Sequence, residues 1–474
     1  MNELIRLTAV EAVDLLARRV VSPLELIEAA VERITAVEPQ INALPTLCVD
    51  RARAHARKLM EKKEGGMLHG LPIAVKDLKE VAGVRTTYGS PIFADYIPSR
   101  SDLMVEILEQ RGAVVLAKSN TPEFGAGANT FNEVFGQTRN PWDTRCTCGG
   151  SSGGSAAALA AGEVWLATGS DLGGSLRIPA SYCGVVGLRP SPGRVPHGPS
   201  PLPFSTLAVA GPMGRTVGDV ALMLDAMVGE YASDPLSLPA PPTPFLEAVK
   251  HPHPPRRVAY SADLGLAPVD QEVAEICAGA VRTFSDLGAE VVEACPDLHD
   301  AGEIFQVLRA ALFAATKAEL LATHRDLLKP EVIWNIDQVL KLTAEEIGRA
   351  ERARGELYQR TVTFFATHDL LVSPTVIAPP FDVNIRYLTQ VAGVEFETYI
   401  DWLVLTFAIT LTACPALSLP CGFTRDGLPV GLQLVAPPRG EAALLSAAAL
   451  FEAAHDFARQ VPLDPRTPSH ALQG

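Results

Sequence analysis

Residues 149–175 read GGSSGGSAAALAAGEVWLATGSDLGGS, and this stretch decides how the chain is interpreted. A glycine-rich serine turn precedes small residues typical of a helix, an apolar segment typical of a strand follows, and a second serine turn ends at Ser175. Glycine lets backbone N–H groups surround an oxyanion beside a serine. The stretch therefore predicts two serines, Ser151 and Ser175, that turns place for nucleophilic chemistry.

Composition and apolar patterning indicate a large α/β fold. The 474 residues are 47% hydrophobic, enough for a large buried core. Apolar segments such as LPIAV (71–75) and AVVLAK (113–118) alternate with helical patterns such as residues 102–111. This alternation predicts an α/β fold with a largely buried sheet, and later strands are predicted at LLVSPT, PALSLP and LPVGLQLVA.

Charge and cysteine content argue against several classes of protein. The chain has 40 Lys and Arg against 54 Asp and Glu, a net charge of −14, and no basic run longer than a pair. Binding to phosphates depends on clustered cations, so we expect neither nucleic acid nor an anionic membrane as partner. The eight cysteines lack disulfide-scaffold spacing and residues 1–19 carry charges, which favours reduced thiols, no secretory signal and a cytoplasmic location.

One uncharged stretch, residues 402–424, is long enough to span a bilayer. It contains Pro415, Pro420 and Gly422, which interrupt a membrane helix. We interpret it instead as a buried helix that ends near Cys414, followed by a buried strand.

The first part of the chain, residues 1–65, is predicted to be helical. Thr8 and Ser22 are each followed three residues later by a glutamate, the capping-box pattern of a helix start. Pro23 also favours a start there, because proline is tolerated at the first helical position.

The second half has three distinct regions. Prolines crowd residues 235–256 too densely for a packed element, which predicts a surface crossing after a helix that runs from Thr216 to about residue 227. Residues 270–287 are predicted to form one helix, capped by Gly288. Residues 300–368 are predicted to be a mostly helical insert near the substrate entrance.

A lysine is the candidate base for such a serine. Histidine is the usual base, but only His69 and His197 lie near glycine-rich segments, and neither has an evident orienting acid. Lys76 ends an apolar segment, where burial disfavours the ammonium and lowers its pKa, so a neutral Lys76 can accept a proton. The alternative is that Lys76 pairs with Asp77 or covers a strand end.

Other interpretations of the first serine turn stay open from the residues alone. The turn suits a flexible linker, or a phosphate cradle at a helix N-terminus, although the ending of a P-loop is missing. Cys146 and Cys148 suggest a metal, but no second Cys/His pair lies at zinc spacing. We interpret these two cysteines as plain loop thiols.

Taken together, the motifs resemble those of the amidase signature hydrolases, which use a Ser-Ser-Lys triad. The match is nearly continuous from Gly70 to Pro196, through GLPIAVKD, GAVVLAKSNTPEF, GQTRNPWD, GGSSGGSAAALAAG and GSDLGGSLRIPASYCGVVGLRPSPGRV. The resemblance implies one α/β domain over residues 1–474, with a mixed central β-sheet covered by helices on both faces and a signature core at residues 70–196. It also implies hydrolysis of amide C–N bonds without a metal or organic cofactor.

The resemblance assigns catalytic roles by position to Lys76, Ser151 and Ser175. Ser175 attacks the carbonyl carbon, Ser151 passes its proton to Lys76, and an acyl-enzyme forms. A cis peptide bond is implied at Gly150–Ser151. Oxyanion-hole N–H groups are implied at Leu172, Gly173, Gly174 and Ser175. Supporting side chains are implied at Ser152, Asp171 and Arg177.

The chain departs from the family pattern at a few positions. Leu172 stands where threonine is frequent, and Cys146 and Cys148 replace residues that are more often Ser, Thr or Pro, which predicts an altered rim of the site. The glutamyl-tRNA amidotransferases contain a related amidase-type subunit, which usually has glutamine where this chain has Ile178. An apolar residue there is typical of free-standing amidases.

The expected substrates are small, fairly apolar amides, including anilides, with esters or carbamates as side substrates. The pocket is predicted from residues 121–131, 199–209 and 301–343, although aromatic residues there are also core candidates. Its candidate lining residues are Phe124, Gly125, Asn129, Phe131, Ile178, Phe204, Phe305, Leu308 and Trp334. An amidotransferase component that needs partner subunits is the alternative, and a homodimer is a further expectation because the family often forms one.

Overall fold

A mixed β-sheet of eleven strands forms the centre of the computed structural model, which describes residues 1–62 and 66–467. The strands of the described chain are β1 (Thr46–Leu47), β2 (Pro72–Lys76), β3 (Val114–Ser119), β4 (Phe131–Asn132), β5 (Gly136–Gln137), β6 (Arg139–Asn140), β7 (Asp143–Thr147), β8 (Leu166–Asp171), β9 (Val186–Arg189), β10 (Val209–Gly214), β11 (Arg257–Tyr260), β12 (Glu290–Glu293), β13 (Leu370–Pro374), β14 (Gln390–Val391), β15 (Val394–Glu395), β16 (Ala416–Phe423) and β17 (Pro429–Val435). The large sheet has the order β1-β3-β2-β8-β10-β9-β16-β17-β13-β11-β12.

Helices flank this sheet and are placed much as the sequence predicts. The described α-helices are α1 (Glu3–Arg6), α2 (Ala9–Ala17), α3 (Pro23–Ile41), α4 (Val49–Met60), α5 (Leu103–Gln110), α6 (Gly153–Ala161), α7 (Arg177–Cys183), α8 (Val217–Met227), α9 (Phe245–Lys250), α10 (Gln271–Ala280), α11 (Arg282–Asp286), α12 (Ala301–His324), α13 (Pro330–Val339), α14 (Ala344–Phe365), α15 (Val404–Leu411) and α16 (Glu441–Ala453). Both predicted capping boxes are present, at the starts of α2 and α3. Residues 63–65 and 468–474, which end two of the predicted regions, lie outside the described residues.

Strand direction brings the two signature segments together. Strand β2 runs parallel to both β3 and β8, whereas β10, β9, β16 and β17 follow with antiparallel pairing. Because the carboxyl ends of parallel strands meet at one edge of a sheet, Lys76 at the end of β2 lies at the same edge as the turn after β8. The predicted α/β fold with a mixed central sheet is confirmed.

Two predictions for the second half of the chain need correction. Residues 235–256 contain a packed helix, α9, because residues 245–250 are free of proline and the N–H groups of Phe245 and Leu246 are capped by Asp225. Residues 270–287 form two helices instead of one. The break lies at Val281, whose N–H is shared by the carbonyls of Cys277 and Gly279.

The uncharged stretch 402–424 is a helix followed by a strand, as predicted. Helix α15 ends at Leu411, β16 starts at Ala416, and most of both elements is buried. Among the described residues, every helix is too short or too polar to cross a bilayer. Residues 300–368 contain α12, α13 and α14, which matches the predicted helical insert.

The small residues of α6 are explained by its depth in the fold. All nine residues of this helix are buried. A Cβ at Gly154 would collide with the backbone N of Asn120 and would lie 2.6 Å from the carbonyl oxygen of Ala43. Only glycine therefore lets α6 approach the end of β3 this closely, and α6 in turn fixes the serine turn that precedes it.

We expect Gly154→Ala to lower the free energy of unfolding by at least about 2 kcal/mol, because backbone on both sides must move to admit the methyl group. The matched control is Gly279→Ala in α10, where an added Cβ meets nothing within 4 Å. This control should gain about 0.5–1 kcal/mol of stability. Urea unfolding followed by circular dichroism measures both changes, and equal stability of the two variants would contradict the packing described here.

Candidate active site

Lys76 is the fully buried last residue of β2. Its backbone N–H donates to Oγ1 of Thr168 in β8 at 3.0 Å, which fixes the end of the strand. Its Nζ lies within hydrogen-bonding distance of three serine hydroxyls: 2.7 Å from Ser151, 2.8 Å from Ser152 and 3.0 Å from Ser170. The structure therefore brings together the lysine and the first serine turn that the sequence singles out.

Burial lowers the pKa of Lys76 well below its ordinary value of 10.5. Asp171 raises this pKa and Lys79 lowers it further, but both effects are smaller than that of burial. The alternative pairing of Lys76 with Asp77 is wrong, since Asp77 binds Lys118 at 2.8 Å and accepts two hydrogen bonds from Thr87. The chemistry available to Lys76 is that of an amine among hydroxyl groups.

The two serine turns are tied to each other. The peptide bond between Gly150 and Ser151 is cis, as the resemblance implies. The N–H of Ser152 donates to the carbonyl oxygen of Ser175 at 3.2 Å, and Ser151 and Ser175 line the same cavity. Ser170 is the hydroxyl that the sequence analysis missed. Its position near the end of β8, a strand parallel to β2, is the signal that points to it.

The turn that carries Ser175 depends on glycine at position 174. Gly174 has a φ of +118°, and a Cβ there would collide with Thr406 of α15. The N–H of Gly174 donates to Oδ1 of Asp171 at 3.0 Å. Gly174 is therefore removed from the implied oxyanion hole, because its donor is already used inside the turn. The N–H groups of Leu172, Gly173 and Ser175 are the remaining donors of the implied set.

Asp171 fixes the turn that carries Ser175 through hydrogen bonds and ion pairs. It accepts hydrogen bonds from Arg177, from Arg189 and from the N–H of Leu176, and the three charged side chains are fully buried. Burial alone would raise the pKa of Asp171, but the two guanidinium groups and these hydrogen bonds hold it below its ordinary value. Sequence analysis identified Asp171 and Arg177. It missed Arg189, which lies on β9.

A cavity of about 370 Å³ opens above Ser151 and Ser175. Its walls come from the turn after β2, the 3-10 turn at Glu123–Gly125, residues 197–210 and helix α12. Its lining residues include Leu78, Lys79, Phe124, Gly125, Leu172, His197, Leu202, Leu312, Phe313, Thr316 and Lys317. Phe124 and Gly125 line it as predicted, and parts of all three predicted wall segments contribute to it.

The other predicted lining residues lie elsewhere. Asn129 is buried, where its amide donates to the carbonyls of Val383 and Ile385. Ile178 is buried against the two glycine turns, near Gly149 and Gly174. Neither side chain lines the cavity, because each is used to pack the loops that surround it.

The remaining candidates for the lining also lie outside the cavity, at other surface clefts or in packed regions. Phe131 lines a separate surface cleft, and Phe204 is 74% exposed beside a groove that also includes Leu308. Phe305 is buried and stacks on Phe407 with ring centroids 4.4 Å apart. Trp334 packs edge-on against Tyr399. Long-range packing decides these positions, and the sequence pattern does not contain it.

His197 does have an orienting acid, contrary to the prediction. Its Nδ1 lies 3.2 Å from Oδ2 of Asp234, and His197 is one of the residues that line the cavity. Asp234 directly precedes the proline-rich segment and is 37 residues from His197, so the pairing is not visible from local spacing. His69 is absent from the described residues that line the cavity.

The two neighbouring cysteines are buried free thiols, and of the two only Cys148 lies in a loop as predicted. Cys146 lies within β7, and Cys148 lies below the first serine turn, where a Cβ at Gly153 would lie 2.6 Å from its Sγ. Burial raises the pKa of each thiol to about 12. Their contribution is to packing under the turn, since neither lines the rim of the cavity. Within residues 1–62 and 66–467, the structure contains no group of three His, Cys, Asp or Glu side chains that could hold a metal ion.

Comparisons with known proteins extend over nearly the whole chain. The family model described as Amidase matches residues 25–445. An acylamidase of Rhodococcus erythropolis is 38% identical over 472 residues, which cover 97% of both chains. The amidase-type subunit of the glutamyl-tRNA(Gln) amidotransferase of Moorella thermoacetica is 36% identical over 97% of this chain and 99% of its own. The crystal structure of a bacterial aryl acylamidase of the amidase signature family superposes with a TM-score of 0.90 at 28% identity, covering 97% of this chain and 98% of that one.

We expect Asp171→Asn to lower the free energy of unfolding by about 3–5 kcal/mol, because two buried guanidinium groups lose their counter-charge. The matched control is Asp337→Asn, which removes an ion pair with Arg325 at the surface and should leave stability nearly unchanged. Urea denaturation of the two variants beside the parent protein measures the difference. An Asp171→Asn variant as stable as the control would show that the buried cluster is not held by charge.

Proposed function

The chain belongs to the amidase signature family, and we propose that it is a free-standing amidase that cleaves small, fairly apolar amides, including anilides, through an acyl-enzyme on Ser175. Hydrolysis of amide C–N bonds follows from the family and from the acylamidase relatives. One observation carries the finer proposal: a fully buried Lys76 lies 2.7 Å from Ser151 at a cavity that Ser175 also lines.

The first half-reaction begins at Ser175. Its Oγ attacks the carbonyl carbon of the amide while its proton passes to Ser151, and the proton of Ser151 passes to the neutral amine of Lys76. The tetrahedral intermediate collapses as the relay runs in reverse. Lys76 returns a proton through Ser151 to the leaving nitrogen, the C–N bond breaks, and the amine departs.

The negative charge that develops on the carbonyl oxygen needs donors already in place. We assign this role to the backbone N–H groups of Leu172, Gly173 and Ser175, since that of Gly174 is bound to Asp171. The side chain at position 172 takes no part in such a contact, so leucine in place of threonine is compatible with it. Arg177 and Arg189 hold Asp171, and Asp171 holds the turn.

The second half-reaction repeats the relay with water. Water gives a proton through Ser151 to Lys76 and adds to the acyl carbonyl carbon. The bond to Oγ of Ser175 then breaks, the proton returns to Ser175, and the carboxylic acid is released. No group outside the chain, the substrate and water is required for this balance.

The substrate class is supported by the walls of the cavity. Leu78, Phe124, Leu202, Leu312 and Phe313 contribute apolar surface, which favours amides that carry an aliphatic or aromatic group. The R. erythropolis acylamidase and the solved aryl acylamidase are relatives whose names match such substrates. Esters and carbamates have the same carbonyl geometry and are proposed as side substrates, and the cytoplasm as the place of action.

An amidotransferase component that needs partner subunits is the second candidate, because one such protein is 36% identical to this chain. Ile178 lies where that protein's family usually has glutamine, and here it is buried against Gly149 and Gly174. The apolar side chain favours the free-standing amidase. The two functions differ in one measurable property, which is the turnover of simple amides by the purified chain alone.

We expect a fluorophosphonate probe to label Ser175 of the purified chain, with turnover of a simple anilide in the same preparation. Ser175→Ala should abolish both labelling and turnover, and Ser151→Ala should lower kcat about 10²–10⁴-fold through loss of proton transfer. Ser285→Ala, at an exposed serine of α11, is the control and should behave as the parent. Peptide mass spectrometry locates the label. Absence of both label and turnover would favour the partner-dependent amidotransferase component.

The pH dependence should report the protonation of Lys76. The neutral amine is the active form, so kcat/KM is expected to be low where Lys76 is protonated and to rise through a pKa well below 10.5. Lys76→Ala should lose this rise and recover part of its rate only at high pH, where hydroxide replaces the base. A profile measured on one anilide from pH 5 to 10 tests this. An unchanged rise in Lys76→Ala would exclude Lys76 as the base.

A further inference from the structure

The cavity above Ser175 contains an ammonium group without a counter-ion. Lys317 of α12 lines the cavity and, among the described residues, forms neither an ion pair nor a hydrogen bond through its side chain. The other ionisable side chains of the lining have partners: Lys79 has Asp102 at 2.9 Å, His197 has Asp234 at 3.2 Å, and Asp171 has its two arginines. Lys317 is therefore the source of uncompensated positive charge in this wall.

Lys317 also lies beside aromatic surface. Its Nζ is 4.7 Å from the ring centroid of Phe124. A second cation, Arg309, lies 4.8 Å from the ring of Phe313, another lining residue, and is buried with Asn335 and Tyr399 as its hydrogen-bond partners. Both phenyl walls of the cavity thus have a positive charge against them. Burial lowers the pKa of Lys317, and an anion beside it would oppose that effect.

The position of Lys317 relative to the proton relay determines which half of the substrate it contacts. In the proposed mechanism Ser151 gives the proton to the leaving nitrogen, so the amine half of the substrate lies on the Ser151 side of the cavity. Gly125 packs on that side, since a Cβ there would lie 3.3 Å from Oγ of Ser151. Phe124 is the next residue, and Lys317 lies over its ring.

We propose that Lys317 binds a carboxylate on the amine half of the substrate, so that amides of amino carboxylic acids, above all of aminobenzoates, are the preferred class. The inference rests on the proposed function and deepens it. The aromatic ring of such an amine packs on Phe124 and Phe313, and its carboxylate accepts hydrogen bonds from the ammonium group of Lys317. A partly desolvated ion pair of this kind contributes more binding free energy than a surface ion pair does.

Matched substrates test this preference. The first pair is 4-acetamidobenzoate and 4-acetamidobenzamide, which differ in charge but hardly in shape, both on the amine half. The second pair carries the same change on the acyl half: the anilide of succinic acid and its neutral succinamide counterpart. We expect the parent enzyme to have a kcat/KM at least about tenfold higher for the carboxylate of the first pair, which corresponds to ~1.4 kcal/mol. No such preference is expected in the second pair.

Variants at Lys317 assign the preference to that residue. Lys317→Gln should lower the carboxylate-to-carboxamide ratio of kcat/KM about tenfold, and Lys317→Arg should keep most of it. Lys341→Gln, at an exposed lysine between α13 and α14, is the matched control and should leave the ratio unchanged. Calorimetric binding of 4-acetamidobenzoate to Ser175→Ala, with and without Lys317→Gln, gives the same comparison without turnover.

The outcomes separate this inference from the function on which it rests. Turnover of both neutral amides with no preference for the aminobenzoate, or a preference that survives in Lys317→Gln, would overturn the role of Lys317 and leave the amidase standing. A preference confined to the succinyl pair would also overturn the role of Lys317, because the enzyme would then recognise a carboxylate on the acyl half of the substrate. Failure to cleave any of the four amides, with no label on Ser175, would overturn the proposed function itself.

Discussion

The site depends on the burial of one amine, that of Lys76, which has serine hydroxyls instead of a carboxylate as its hydrogen-bond partners in the described chain. The two acidic side chains nearest to Lys76 along the strands are each bound to other cations: Asp77 to Lys118, and Asp171 to Arg177 and Arg189. Only hydroxyl groups are left for Lys76. Without these arginines and Lys118, an acid would be free to hold Lys76 as a permanent ammonium, and a protonated lysine cannot act as a base. The charged network around the site thus keeps Asp77 and Asp171 from forming an ion pair with Lys76.

Sequence predicts this structure well wherever the information is local. The capping boxes at Thr8 and Ser22, the apolar strand before Lys76 and the two glycine turns are all set by residues a few positions apart. Partners that lie far apart along the chain are a different matter. Asp234 beside His197, Arg189 below Asp171 and Ser170 beside Lys76 depend on which strands become neighbours, and no local pattern contains that order.

The residues that recognise the substrate are equally hard to predict from local sequence, as the lining of the cavity shows. Its floor comes from the signature segments, which are close together in sequence, but its walls come from residues 197–210 and from α12, which other parts of the fold hold in place. Aromatic residues in these segments pack in the core or lie on the surface as readily as in the cavity, as Phe305 and Phe204 do. Because function depends on the site and not on the fold, the choice of substrate depends on these walls.

The cluster under the Ser175 turn also constrains how the enzyme is made. Arg177 donates to Oε1 of Gln433 at 2.6 Å, and Gln433 in turn donates to Ser373 and to the carbonyl of Leu405. The turn that carries Ser175 is thus completed by β17, because Arg177 and its partner Gln433 are 256 residues apart along the chain. A nascent chain that has exposed its signature segments still lacks this strand. The turn that carries Ser175 is consequently complete only after β17 has been synthesised, so a product that terminates before β17 lacks this support.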